Sequence, residues 1–181
     1  MSYDSKLSSA VPAAPTASPA AAAINAFAGH ITKVGPVALV SGLGGALAIW
    51  CLATLTQSLE QALLIAPFGA SCVLLFALPS SPLAQPRNVI GGHFLSALVG
   101  ILVLTFIGDG ILACGIGVGC AIATMQLTGT VHPPAGGNPL VVIVAGASWS
   151  FLVLPILAGT IVLVLVARAY HQTISKRAYP V

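Results

Sequence analysis

The sequence predicts an all-α polytopic membrane protein arranged as an inverted repeat of three elements per half, six membrane elements in all, two of them short or broken helices. Three observations carry this prediction. The chain of 181 residues is 57% hydrophobic and only 5% charged, with a mean hydropathy of +1.05, whereas a water-soluble domain carries about 25% charged residues. The apolar residues fall into runs long enough to cross a bilayer, which takes about 20 residues at ~1.5 Å each. Finally, two Pro/Gly interruptions, Ala66 to Ser71 and Thr128 to Pro139, occupy equivalent places in the two halves.

Residues 1–33 read as a disordered or interfacial tail, because Pro12, Pro15 and Pro19 prevent a continuous helix, with Ile24 to Val34 able to form a short interfacial helix. A cleaved leader is disfavoured, since a basic start followed by an unbroken apolar region is missing. The membrane domain is expected over 34–170, and its first span runs from Pro36 to Thr56 without a charge. Gly42, Gly44 and Gly45 on that span allow close helix contact. After Glu60 the break at Ala66 to Ser71 leaves only Pro67 to Leu78 for regular helix, too short to span. Pro79 to Asn88 is a loop containing Arg87, Val89 to Ile107 is the next span, Gly108-Asp109-Gly110 is a tight turn, and Ile111 to Leu127 is the span after it. The second break follows, then a short apolar segment Leu140 to Ala147, a last span Phe151 to Ala167, and a basic tail over 171–181. Trp50 and Trp149 suit anchoring at the membrane interfaces.

Each break precedes a short apolar helix and is flanked by one full span on either side, so the hydropathy order repeats. Charge placement agrees. With both termini on the cytoplasmic side, Lys6, Lys33, Arg87, Arg168, Lys176 and Arg177 all fall inside, as basic residues prefer. Three elements per half is an odd number, so the halves would be inverted. A five-span alternative, with Leu140 to Ala167 as one helix, would put the C-terminal basic cluster outside.

Two short helices whose Pro/Gly-rich starts meet near the midplane would aim unpaired N–H groups at one point, and such a point favours an anion. Gly69, Ala70, Gly136 and Gly137 allow close backbone approach there, and Ser71, Thr128, Thr130 and Asn138 add neutral hydrogen bonds. The breaks contain no Asp, Glu or Lys, which disfavours a divalent-cation site. His132 is the ionisable group of the second break, a candidate for proton coupling or gating, against the plain alternative that it braces a freed carbonyl. His93 is a second such candidate, or a buried hydrogen-bonding residue, while His30 and His171 are expected in solvated interfacial positions. Arg87 could steer anions to the inner mouth, although the topology rule already explains it. Cys51, Cys72, Cys114 and Cys120 lie in apolar segments as small hydrophobes, and neither a metal site nor a cofactor is expected. A net charge of +3, spread over chain ends and one loop, gives no nucleic-acid surface. No nucleophile–base pair or nucleotide loop suggests an enzyme.

The segment Thr128 to Gly137 around His132-Pro133-Pro134 resembles the HPP integral membrane family, as do Ala66 to Ser71, the loop Ser81 to Asn88 and Gly91-Gly92-His93. The resemblance covers about residues 34–168. That family includes nitrite transporters of chloroplast and cyanobacterial membranes, so the resemblance implies a bacterial inner-membrane or chloroplast-type setting and nitrite as the anion. Gly137-Asn138-Pro139 departs from the family's usual small-residue continuation. The expected function is a transporter or channel for a small monovalent anion, and the competing reading is a non-transporting scaffold in the lipid bilayer. Glycine-rich helix faces lead to the expectation of a homo-oligomer.

Overall fold

The computed structural model describes residues 18–60 and 63–181, and these form helices α1 (Pro19–Leu59), α2 (Ala66–Cys72), α3 (Pro86–Phe106), α4 (Ile111–Thr128), α5 (Asn138–Ala145) and α6 (Ala158–Tyr170). A widened π turn, Val73–Ala77, prolongs α2, and the 3₁₀ turns Pro82–Ala84 and Pro133–Gly137 precede α3 and α5. A 3₁₀ turn and a π turn over Trp149–Leu157 lead into α6, and a further π turn, His171–Ser175, prolongs it. Four of these stretches are long and apolar enough to cross a membrane, namely Pro19–Leu59, Pro86–Phe106, Ile111–Thr128 and Trp149–Ser175. The chain is all-α among its described residues, and its two breaks start the two short helices.

Two segments differ from expectation, and one alternative is removed. The stretch anticipated as a disordered or interfacial tail is helical from Pro19 onward, while 1–17, including Lys6, lie outside the described residues. Ala20 to Ala23 favour helix, and Pro36 is accommodated within α1, as membrane helices tolerate proline. Leu140 to Ala167 is not one helix. Gly146 closes α5 at φ 60°, with Gly146 N–H donating to Ile143 O (3.3 Å) and Ala147 N–H to Val142 O (2.9 Å), a glycine-dependent stop. The backbone opens again at Leu154 (φ −126°, ψ 117°).

The second difference lies in the C-terminal segment, where His171 is buried rather than solvated. One His171 ring nitrogen, Nε2, donates to Leu75 O at 2.8 Å, and the other pairs with Ser175 Oγ at 2.6 Å. Tyr179 OH donates to Ala84 O (3.0 Å) and Val181 N–H to Gln85 Oε1 (2.9 Å), so the basic tail folds back on the loop before α3. Burial holds the Tyr179 phenol above its usual range.

Packing follows a regular order along two helices. The chain from Thr130 through α5 climbs α3 in parallel: Asn88 Nδ2 bonds Val131 O, Gly92 faces Thr130 and His132, Ser96 Oγ bonds Ala135 O, and Gly100 faces Pro139 and Val142. The other short helix runs in parallel with α6 in the same manner. Phe68 lies against Gly159, and Leu75 and Phe76 lie beside His171 and Tyr170. Ala48, Leu52, Phe68, Leu75, Phe76, Leu163 and Ala167 close one core, and Ala97, Ile101, Val142 and Ile156 another. Large apolar side chains remain outside, Ile111 at 95% and Leu127 at 89% exposure, as a lipid-facing surface requires.

At Gly92 the neighbour is backbone, which cannot swing aside. A Cβ there would lie 2.7 Å from Thr130 O and 2.8 Å from His132 Cβ, whereas one on Gly119 would meet nothing within 4 Å. Gly92→Ala is expected to destabilise the protein by ~1–3 kcal/mol through overpacking, and Gly119→Ala to leave it unchanged or slightly more stable. Thermal unfolding in detergent checks the pair; equal melting temperatures for both variants would remove the close-approach role of Gly92.

Candidate functional site

The two breaks meet face to face at the centre of the protein. Gly137 sits against Pro67, a Cβ on the glycine coming within 3.4 Å of the Pro67 ring, which brings the starts of α2 and α5 together. Proline shapes both starts. Pro67 has no N–H, and Phe68 N–H turns back to Ile65 O (3.0 Å). In the second break Pro133 and Pro134 likewise lack donors, while Ala135 N–H is used on His132 O (2.9 Å) and Asn138 N–H on Ala135 O. Few backbone donors are left over, so side chains supply most of the polarity at the meeting point.

Ser71, on the first turn but one of α2, is the hub. Its Oγ lies 2.8 Å from His93 Nε2, 2.9 Å from His132 Nε2 and 3.2 Å from Pro67 O. His132 Nδ1 is 2.8 Å from Leu83 O. On the other side, His93 Nδ1 is 2.9 Å from Asn138 Nδ2 and 3.2 Å from Asn138 Oδ1, and Asn138 Nδ2 also donates to His93 O at 2.9 Å. The rings of His93 and His132 are 5.0 Å apart, and the edge of Phe68 seals His93 at 5.2 Å. Ser71, His93, His132 and Asn138 are each 0% exposed. Among the described residues every buried side-chain nitrogen or oxygen has a partner.

The remaining expected site residues are distributed differently. Thr128 and Thr130 pair with each other (Oγ1 to Oγ1, 2.8 Å), and Arg87 Nη2 donates to Thr128 O at 2.9 Å, which caps the C-terminal end of α4 with a cation. Gly69 and Ala70 lie exposed on the outer side of α2, and Gly136 is half-buried. Sequence reasoning missed Asn88, Ser96 and the Leu83 carbonyl. Asn88, Gly92 and Ser96 recur every four residues on α3, and that helical spacing was the available signal.

Among the described residues no acidic side chain takes part in this cluster: Glu60 and Asp109 are exposed, in turns that follow α1 and α3. No group of three or more His, Cys, Asp or Glu suited to a metal occurs among the described residues. The arrangement therefore offers a neutral, hydrogen-bonding, water-poor centre between two broken helices.

Long apolar helices around a buried polar centre define an integral membrane protein. The chain belongs to the HPP family, whose model, described as HPP, transmembrane region, matches residues 32–180. It is 38% identical over 129 residues to one transmembrane protein of Dictyostelium discoideum, covering 67% of this chain and 45% of that one. A second Dictyostelium discoideum transmembrane protein is 34% identical over 134 residues, 70% of this chain and 43% of its own length. The chain thus spans less than half the length of these relatives. No solved structure matches it.

Asn138 supplies hydrogen bonds that no neighbour can replace, to His93 Nδ1 and to the His93 carbonyl. Asn138→Leu is expected to cost ~1–3 kcal/mol, the penalty of leaving buried groups unpaired. Chemical or thermal denaturation in detergent measures it, and a variant as stable as the parent would show that the cluster is not under hydrogen-bond constraint.

Proposed function

We propose that this protein is a membrane transporter or channel for a small monovalent anion, nitrite being the anion that the family resemblance implies. The observation that carries this reading is the contact of two broken-helix starts, Pro67 against Gly137, around a buried cluster with no carboxylate in it. Helix N-termini carry partial positive charge, and discontinuous membrane helices hold anions by this means. Ser71, His132 and Asn138, with Gly136 and Gly137 on the backbone, are the proposed binding residues, and Thr128 and Thr130 line the approach beside Arg87.

The inverted repeat forms part of the same proposal. Each short helix runs parallel to the long helix that ends the opposite half, α2 with α6 and α5 with α3, which is the pairing a two-fold axis in the membrane plane produces. Both termini on the cytoplasmic side place Arg87 at the inner mouth. Gly42, at which a Cβ would meet nothing within 4 Å, lines an apolar groove with Gly45, Gly69 and Cys72, and a small-residue face of this kind supports a homo-oligomer.

Flux of nitrite into proteoliposomes tests this function. Uptake is expected to exceed that of protein-free vesicles several-fold, and Gly137→Leu, which drives a side chain into the Pro67 contact, is expected to reduce it by about tenfold or more, as removal of an interaction worth ~1.4 kcal/mol or more does. Folded protein that gives no uptake above the protein-free control would leave the scaffold reading instead.

A further inference from the structure

The geometry points to a one-proton site at His132, read by rotation of the Ser71 hydroxyl, whose loading couples a proton to the anion carried by the site proposed above. It rests on that transport reading for its anion, and on the hydrogen-bond geometry alone for its proton.

The argument starts from Leu83 O. A carbonyl only accepts, so the 2.8 Å contact requires hydrogen on His132 Nδ1. In a neutral ring Nε2 is then bare and must accept, and the donor within reach is Ser71 O–H at 2.9 Å. Ser71 Oγ in turn accepts from His93 Nε2–H at 2.8 Å, and His93 Nδ1, now bare, accepts from Asn138 Nδ2–H at 2.9 Å. Every position is filled, and the chain has one direction, from Asn138 to Leu83.

The third contact of Ser71 has no use in that state. Pro67 O, 3.2 Å away, can only accept. A hydroxyl has one donor and two acceptor positions, and its three partners are saturated together when Oγ accepts from both Nε2–H groups and donates to Pro67 O. That arrangement requires hydrogen on both nitrogens of His132. Adding one proton to Nε2 while the Ser71 hydrogen swings from His132 to Pro67 O therefore converts a state in which every ring nitrogen is bonded into one in which Ser71 is saturated as well. An N–H bond forms on His132 Nε2, the positive charge stays on its ring, and the proton comes from a hydronium ion of bulk water. His93 keeps its single hydrogen and its bond to Asn138 throughout.

What the loaded state lacks is a counter-charge. Bonded to His132 are Ser71 on α2 and the Leu83 carbonyl, and the His93 ring on α3 lies beside it; the polar groups next out are Asn138 on α5, bonded to His93, Ser96 on α3, bonded to Ala135 O, Thr128 at the end of α4 paired with Thr130, and Tyr179 bonded to Ala84 O. Arg87, at the mouth, is itself cationic. A buried imidazolium without an anion is costly, and a small anion arriving between the helix starts removes that cost. Proton and anion then load together, and their joint passage is electroneutral.

Two measurements test this. In protein with ¹⁵N-labelled histidine in nanodiscs, the neutral state should show hydrogen on Nδ1 of His132 and on Nε2 of His93, and acidification should place the second proton on His132 first, at a higher pH with nitrite present than without. Hydrogen on Nε2 of neutral His132, or prior protonation of His93, overturns the proton site whether or not nitrite is carried. In proteoliposomes with the potential clamped, an acid-outside gradient should accelerate nitrite uptake over the protein-free control while an imposed potential should not. Ser71→Ala should lower the gradient-driven part roughly tenfold or more, by removal of a hydrogen bond to a charged group. Uptake that follows potential and ignores the pH gradient overturns the coupling but leaves anion transport standing; absence of all uptake fails the transport reading, and the histidine spectra still decide the proton site.

Discussion

Nine residues of irregular backbone, 129–137, lie among membrane-spanning helices, and the structure depends on how their polar groups are satisfied. Hydrocarbon offers no partner for a free N–H or C=O. α3 supplies the partners: Asn88 bonds Val131 O and Ser96 bonds Ala135 O, while Gly91 and Gly92 remove the side chains that would hold the segment away. The polar residues of α3 are thus explained by the break they serve. Without them the segment would have to be helical or leave the membrane, and α5 could not start where it does, beside α3.

The same need explains the prolines. At the start of a short helix each unsatisfied donor is a liability in lipid, and a proline has none to leave unsatisfied. Pro67 and Pro133 follow the extended residues Ile65 and His132 and begin the helical turns, and all four prolines, with Pro134 and Pro139, reduce the number of N–H groups the centre must accommodate. The cluster of Ser71, His93, His132 and Asn138 then carries the polarity that a run of free amides would otherwise have provided, and it is closed, with each buried side-chain donor and acceptor paired.

Much of this was legible in the sequence, for reasons that are physical. Apolar run length fixes spans, and α3 and α4 fall within a few residues of the expected Val89 to Ile107 and Ile111 to Leu127. Proline and glycine mark breaks directly, so both interruptions were visible. The tail was not. A proline at 36 reads as a boundary in water, yet in α1 it sits inside the helix. His171 read as solvated because it follows a basic residue near the end of a span, whereas its burial depends on Leu75, almost a hundred positions earlier. Within the site, Ser71, His132 and Asn138 could be singled out by residue type alone, but their joining through His93 could not, because partner choice among buried polar groups depends on three-dimensional register rather than on local pattern. Leu83 shows the limit most plainly: its contribution is a backbone carbonyl, and no side-chain motif announces it.

Position of α2 is what the centre is sensitive to. The cluster has a single member from the first break, Ser71, and its other members all lie on α3, on the loop before it, or on the second break packed along α3. Sliding or tilting α2 against α3 by about 1 Å would lengthen both Ser71 contacts beyond hydrogen-bonding range and leave two histidine nitrogens unpaired in a dry interior, a cost of ~1–3 kcal/mol each. The hydrogen bonds at Ser71 thus fix α2 against α3, so the bonding of the centre and the packing of the two breaks are one constraint rather than two.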